Sequence, residues 1–317
     1  MKQIKWGNTQ LTTSAIALGI MRMLRLSTTQ AADLLSVAHD NGVTYIDSAD
    51  IYGVGESETI FGQALKQTNI ARNDLFIQSK GGIVPNPQKS SGEVVLGQRY
   101  DFSKQHLIES VDGILQRMQL DYLDAFLLHR PDALMDPAEI AAAFDQLQAS
   151  GKVRFFGVSN FNPQQVALVQ SAVSQKLMVN QLQFSVKHTG PIDFGLHTNM
   201  TDDGSVNHDG GIIEYSRRQH MTIQAWSPFQ YGLFAGTFID NPQFPELNQA
   251  LQQLADKYTT TKSAIATAWI LRHPANMQVI LGSMNPQHLQ ESLDGADITL
   301  DRQEWYDVYL AAGNQLP

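Results

Sequence analysis

Read for its hydrophobic and polar positions, the chain alternates between two periods. Short apolar runs of strand length centre on Ala17, Ile46, Ile77, Phe126, Phe156, Leu182, Gln224 and Val279. Each is followed by a longer segment whose apolar residues recur at helical spacing. From Thr28 to His39, for instance, Leu34, Leu35 and Ala38 share one face and Gly42 closes the segment. Helix starts are marked by a capping side chain and a proline at Asp136-Pro137, Asn162-Pro163 and Asn285-Pro286. Before the first run, Ile4 to Ser14 alternates around Gly7-Asn8, which predicts a short β-hairpin at about residues 1–14.

Strand–helix units without a Pro-rich linker or a break in composition predict one α/β domain over residues 1–317, built on a parallel sheet. A (β/α)8 TIM barrel typically takes about 250 residues plus insertions, and the eight runs fit it. A doubly wound open sheet is the alternative, because periodicity cannot see closure. In a barrel all strand exits share one face. Two long connections, Gly81 to Tyr100 and Ser185 to Gly210, would open there.

The polar residues at the strand exits are unusual. Thr44 to Ala49 reads as a buried strand, with Asp47 and Asp50 near its end and Tyr52 just beyond, before a helix beginning around Glu56. Leu75 to Ser79 delivers Lys80, and Ala125 to Leu128 delivers His129. Strand interiors seldom keep an unpaired carboxylate. Singly, each residue has an ordinary reading. Asp47 could cap a helix, Tyr52 could be a surface aromatic, Lys80 could mark an exposed turn and His129 could be a satisfied loop histidine. Their coincidence on three consecutive strand exits is not ordinary.

Together these groups suit carbonyl reduction. A phenol has a pKa of about 10 and becomes a usable acid near neutrality when that value falls. An adjacent ammonium lowers it. Asp47 would hold Lys80 charged, and His129 would hydrogen-bond the substrate oxygen. No side chain donates hydride, so a nicotinamide cofactor is implied.

Composition narrows the partners. With 43% hydrophobic and 17% charged residues the chain can bury a substantial core. A net charge of -9 argues against a nucleic-acid or anionic-membrane surface. Cysteine is absent, which excludes disulfides, thiolate zinc sites and thiol nucleophiles. The first residues lack an apolar signal core and no run is long enough to span a bilayer. The expectation is a cytoplasmic monomer acting on a small-molecule carbonyl. His188, His197 and His208 match no metal template; they read as solvated loop residues, and no metal is expected.

The motifs resemble the aldo-keto reductase family, of bacterial type, over nearly the whole chain. They are Tyr45-Ile46-Asp47-Ser48-Ala49-Asp50-Ile51-Tyr52-Gly53, Gln78-Ser79-Lys80-Gly81, Leu128-His129-Arg130-Pro131, Gly157-Val158-Ser159-Asn160-Phe161, Asn180-Gln181 and Ala225-Trp226-Ser227-Pro228. The resemblance implies a (β/α)8 barrel and an NAD(P)H-dependent oxidoreductase whose tetrad is Asp47, Tyr52, Lys80 and His129. It further implies that Ser159, Asn160 and Gln181 hold the nicotinamide carboxamide and that Trp226 stacks on the ring. Ser227, Phe229, Gln230, Gly232 and Leu233 would follow the pyrophosphate, with Gly19, Met21, Arg22 and Asp47 also touching the cofactor. At the far end Gly282, Ser283 and His288 would face the adenosine phosphate.

Many relatives carry a lysine and an arginine where this chain has Gly282 and His288. The cofactor is therefore expected to be NADPH, with NAD possible and only a modest preference, stronger on the acid side of neutrality where an imidazole is charged. A regulatory nicotinamide-sensing barrel like the potassium-channel β subunits is the alternative function. Two decoys fall away. Gly53-Val54-Gly55-Glu56-Ser57-Glu58 has Glu58 where a dinucleotide fingerprint needs glycine. Gly157-Val158-Ser159-Asn160-Phe161 has Phe161 where a nucleophile elbow needs glycine.

Overall fold

The computed structural model describes residues 1–232 and 235–316. Its strands run in chain order as β1 (Gln3–Lys5), β2 (Thr12–Ser14), β3 (Ile16–Gly19), β4 (Tyr45–Asp47), β5 (Phe76–Gly81), β6 (Ile83–Val84), β7 (Arg99–Tyr100), β8 (Leu123–Leu128), β9 (Val153–Ser159), β10 (Leu177–Gln183), β11 (Thr222–Trp226) and β12 (Met277–Leu281). Strands β3, β4, β5, β8, β9, β10, β11 and β12 pair in that order and close into a parallel barrel. Closure settles the open-sheet alternative against it. Contacts divide the chain into two compact units, residues 17–180 with 282–286, and residues 1–16 with 181–281 and 287–317.

In the first unit, β4 and β8 are buried along their whole length. That is why both read as near-continuous apolar runs, as strands covered on both faces do. Register places Asp47 opposite Gln78 and Lys80 opposite Leu127. The helices α1 (Thr28–Asp40), α2 (Glu56–Leu65), α3 (Lys104–Met118), α4 (Pro137–Ala149) and α5 (Pro163–Ala172) follow the strands. Ser27 and Gln30 form a capping box at α1, and Asn162 and Gln165 form another at α5. Phe144 of α4 stacks on Phe156 of β9 at 4.0 Å between ring centroids. The connection after β5 is a hairpin, β6 pairing antiparallel with β7.

In the second unit, β1 and β2 form the hairpin, with Gln3 opposite Ser14. A row of buried amides crosses its sheet. Gln181 donates to Gln224 at 3.0 Å, Gln224 to Gln278 at 2.8 Å, and Gln278 to the Ser14 carbonyl at 2.8 Å. The helices here are α6 (Gly190–Leu196), α7 (Ile212–Arg218), α8 (Pro245–Tyr258), α9 (Lys262–Arg272), α10 (Pro286–Leu293), whose first residue belongs to the other unit, and α11 (Arg302–Ala311). Helices α9 and α11 are joined by Trp269 and Trp305, stacked at 4.6 Å, each indole donating to the other residue's carbonyl.

The connection from Ser185 to Gly210 is more ordered than expected. It holds α6 and a short turn capped by Asp202. His197 is not solvated but buried. Its Nδ1 lies 2.7 Å from Asp202 Oδ1 and its Nε2 lies 2.9 Å from the Gln315 carbonyl. Both partners come from chain segments that periodicity does not bring together.

Candidate active site

The first unit assembles Asp47, Tyr52, Lys80 and His129 at successive strand exits. Lys80 is fully buried and Asp47 is 2% exposed. Lys80 Nζ donates to Asp47 Oδ1 and Oδ2 at 2.8 and 2.9 Å and to the Ser48 carbonyl at 2.6 Å. Asp47 Oδ1 also accepts from the Gln78 amide at 2.7 Å, and Tyr45 donates to the far end of that same amide at 2.7 Å. The Lys80 ammonium lies 5.1 Å from the centre of the Tyr52 ring. Tyr52 and His129 meet edge to face with centroids 6.0 Å apart.

Tyr52 is placed by a tight turn, its N–H donating to the Ala49 carbonyl. The chain then passes through three left-handed residues, Gly53, Val54 and Gly55. Glycine adopts this conformation freely, but for the β-branched Val54 it is an outlier.

The electrostatics differ from the sequence expectation in one respect. Burial raises the Tyr52 phenol above its ordinary pKa, and Asp47 adds to this, while Lys80 and Arg130 pull it down. The ammonium has the expected sign of effect, but desolvation is larger, so the phenol is raised and not lowered. Lys80 shows the opposite balance. Burial disfavours its charge, yet Asp47 and Tyr52 outweigh burial and raise its pKa. His129 falls well below its usual value through burial and the charges of Lys80 and Arg130. Its imidazole is therefore neutral near pH 7, and its buried Nδ1 has no hydrogen-bond partner among the described residues. A fixed ammonium, a protonated phenol and a neutral imidazole form a set that can present a proton and a hydrogen bond to one oxygen atom.

Of the other expected residues, Gly19, Met21, Arg22, Ser159, Asn160, Gly282 and Ser283 belong to the same unit as the tetrad. Asn160 donates to Ser159 Oγ at 2.8 Å and has a left-handed backbone, φ 59°. A Cβ on Gly282 would stand 3.4 Å from the Arg22 guanidinium, so this position borders an arginine. Gln181, Trp226, Ser227, Phe229, Gln230, Gly232 and His288 belong to the second unit. Trp226 is partly exposed where β11 ends, and Ser227 after it is left-handed. His288 is exposed in the first turn of α10. Leu233 lies outside the described residues.

Sequence reasoning noted Asp50 near a strand exit and Glu58 in a broken fingerprint without giving either a role at the site, and it passed over Arg117, which pairs with Glu58. Glu58 looked like a disqualifying charge, yet it is fully buried and paired with Arg117 at 2.8 Å. A signal was present in the sequence, because Glu58 stands three residues before the apolar Phe61 on the same helix face, and a carboxylate on a core face needs a partner.

The family model for the aldo/keto reductase family matches residues 15–309. A 6-dehydroglucose reductase of Agrobacterium fabrum is 36% identical over 278 residues, covering 87% of this chain and 85% of that protein. Oxidoreductase YdhF of Escherichia coli is 33% identical over 302 residues, covering 94% and 93%. An aldo-keto reductase from Klebsiella pneumoniae, crystallised in complex with NADPH, superposes with a TM-score of 0.76 at 22% identity, covering 99% of this chain and 96% of that one. Barrel, strand-exit residues and sequence agree, and this chain belongs to the aldo/keto reductase family.

Proposed function

We propose that the protein reduces an aldehyde or ketone with NADPH, Tyr52 giving its proton to the carbonyl oxygen. The observation that carries this reading is the buried Lys80–Asp47 ion pair beside the phenol. A buried lysine–aspartate pair is often no more stabilising than apolar residues of similar volume, so stability alone does not account for it. Here they hold a fixed positive charge next to a proton donor.

The donor set suits a nicotinamide. In the unit that holds the tetrad, Ser159 and Asn160 offer hydroxyl and amide groups that match a carboxamide; in the other unit, taken by itself, Gln181 offers an amide and Trp226 an aromatic face at a strand exit. When bound, the nicotinamide supplies the hydride. The protein's own residues do the rest. His129, kept neutral, orients the carbonyl oxygen through a hydrogen bond. Tyr52, kept protonated by burial, donates as negative charge develops on that oxygen. Lys80 then stabilises the phenolate, and Asp47 holds Lys80 in place. Arg22 and Ser283 would take the adenosine phosphate. With Arg22 as the one guanidinium named for that phosphate, the preference for NADPH over NADH is modest. The likeness to a 6-dehydroglucose reductase supports a small polar carbonyl as substrate.

Replacing Tyr52 with Phe tests the reading. Reduction of a panel of aldehydes and ketones, followed by NADPH and by NADH absorbance, should fall about 10²–10⁴-fold in kcat, the usual contribution of a general acid. NADPH binding should stay near the wild-type value. The wild-type rate should be level through neutrality and decline only as pH rises through the raised phenol pKa, since reduction needs the proton. Wild-type kcat in Tyr52→Phe would refute the assignment.

A further inference from the structure

Glu58 breaks a glycine fingerprint, and the structure gives it a different role. It stands in the first turn of α2 and is fully buried. Its Oε1 accepts from Ser79 Oγ at 2.8 Å and from Ser48 Oγ at 3.3 Å. Ser48 follows Asp47 and Ser79 precedes Lys80 in the chain. Its Oε2 accepts from Arg117 Nε at 2.8 Å and lies 2.8 Å from Arg117 Nη2. Space for that guanidinium is left by two glycines. A Cβ on Gly55 would stand 2.6 Å from Arg117 Cδ, and one on Gly113 would stand 2.8 Å from Arg117 Nη1.

Core packing alone does not ask for this arrangement. A buried ion pair is often no more stabilising than apolar residues of the same volume. What a carboxylate does that an apolar side chain cannot is accept two hydroxyls at fixed distances and directions. The two hydroxyls here lie one residue away from each partner of the Asp47–Lys80 pair. A displacement of about 1 Å at such a site can lower a rate by about 10²-fold.

We propose that Glu58, held by Arg117, is a positioning residue for carbonyl reduction. Through Ser48 and Ser79 it ties the exits of β4 and β5 together, so that Asp47 and Lys80 keep their ion pair beside Tyr52. The inference rests on the tetrad reading above and goes beyond it. The charged groups involved are few. Tyr52 is faced by Lys80, Asp47 and Arg130, Glu58 by Arg117, Asp50 by Glu58 and Arg117, and His129 by Lys80 and Arg130.

Ser79→Ala removes one strut and changes no charge. Its kcat should fall about tenfold, with the carbonyl KM and the NADPH Kd within about twofold of wild type. Loosening Lys80 weakens its downward pull on the phenol, so the Tyr52 pKa rises. The alkaline decline of reduction then moves to higher pH. The same shift should appear without cofactor or substrate, in the carbon-13 titration of the Tyr52 ring, assigned by its absence in Tyr52→Phe. If Ser79→Ala does not fold, Ser48→Ala carries the same measurements with smaller shifts, because its bond is the longer one. An unmoved Tyr52 titration overturns the proposal, whether kcat is unchanged or reduced. Retention of wild-type kcat by Tyr52→Phe overturns the tetrad reading itself, whereas loss in Tyr52→Phe with no change in Ser79→Ala overturns the brace alone.

Discussion

Asp50 shows how far a single residue's chemistry is set by its surroundings. Its carboxyl is pushed up to about 8, first by burial and then by Glu58, against the weaker pulls of Arg117 and a hydrogen bond from Ser110. In an unfolded chain an aspartate titrates near about 4. Between about pH 4 and about pH 8 the folded protein thus holds a proton that the unfolded chain has released, so stability is lost as pH rises through that window. Asp50→Asn removes the titration. The wild-type denaturation midpoint, measured against that of the variant, should decline across the window; a constant difference would show that Asp50 is not protonated in the fold. At this scale the sequence was informative about residue type and position. Asp47, Tyr52, Lys80 and His129 could be named because each stands where a strand ends. It was silent about ionisation, since the direction of the Tyr52 shift depends on burial outweighing Lys80, and burial comes from residues distant in the chain.

At the scale of elements, the contact of α2 with α3 is the one that the proposed brace depends on. Gly62 lies inside α2, where alanine would gain about 1 kcal/mol of helix propensity. A Cβ there would overlap the carbonyl of Met118 and stand 2.9 Å from that of Arg117. Backbone cannot move aside as a flexible side chain can, so overpacking of about 1–3 kcal/mol should prevail. Gly62→Ala is expected to lower stability in urea titrations and to reduce kcat by displacing Arg117 from Glu58. Unchanged stability would mean that the helices separate freely. The elements themselves were largely legible. The capping pairs at Asp136, Asn162 and Asn285 each precede a helix that starts at the next residue, because capping is a local hydrogen-bonding matter. His197 was misread for the converse reason, since its partners Asp202 and Gln315 meet it only in the folded connection.

At the scale of the whole molecule, we propose that the chain unfolds as one domain, because all eight barrel strands belong to one closed sheet. All four tryptophans, Trp6, Trp226, Trp269 and Trp305, fall in the unit of residues 1–16, 181–281 and 287–317. Tryptophan fluorescence therefore reports on that unit, while far-ultraviolet circular dichroism reports on the entire chain. The two denaturation curves should coincide; separate midpoints would show that the units unfold independently. The alternation of apolar strands with amphipathic helices was enough, by itself, to determine a parallel α/β architecture and the residues at its strand exits, because both follow from short apolar runs alternating with segments of 3.6-residue period along the chain. Closure of the sheet was beyond it, since which strand pairs with which is a choice between distant segments of similar apolar character. So were the shared hydrogen bonds of Glu58 with Ser48 and Ser79 and the net direction of the Tyr52 shift. Those depend on distances and on the exclusion of water, and only the tertiary structure decides them.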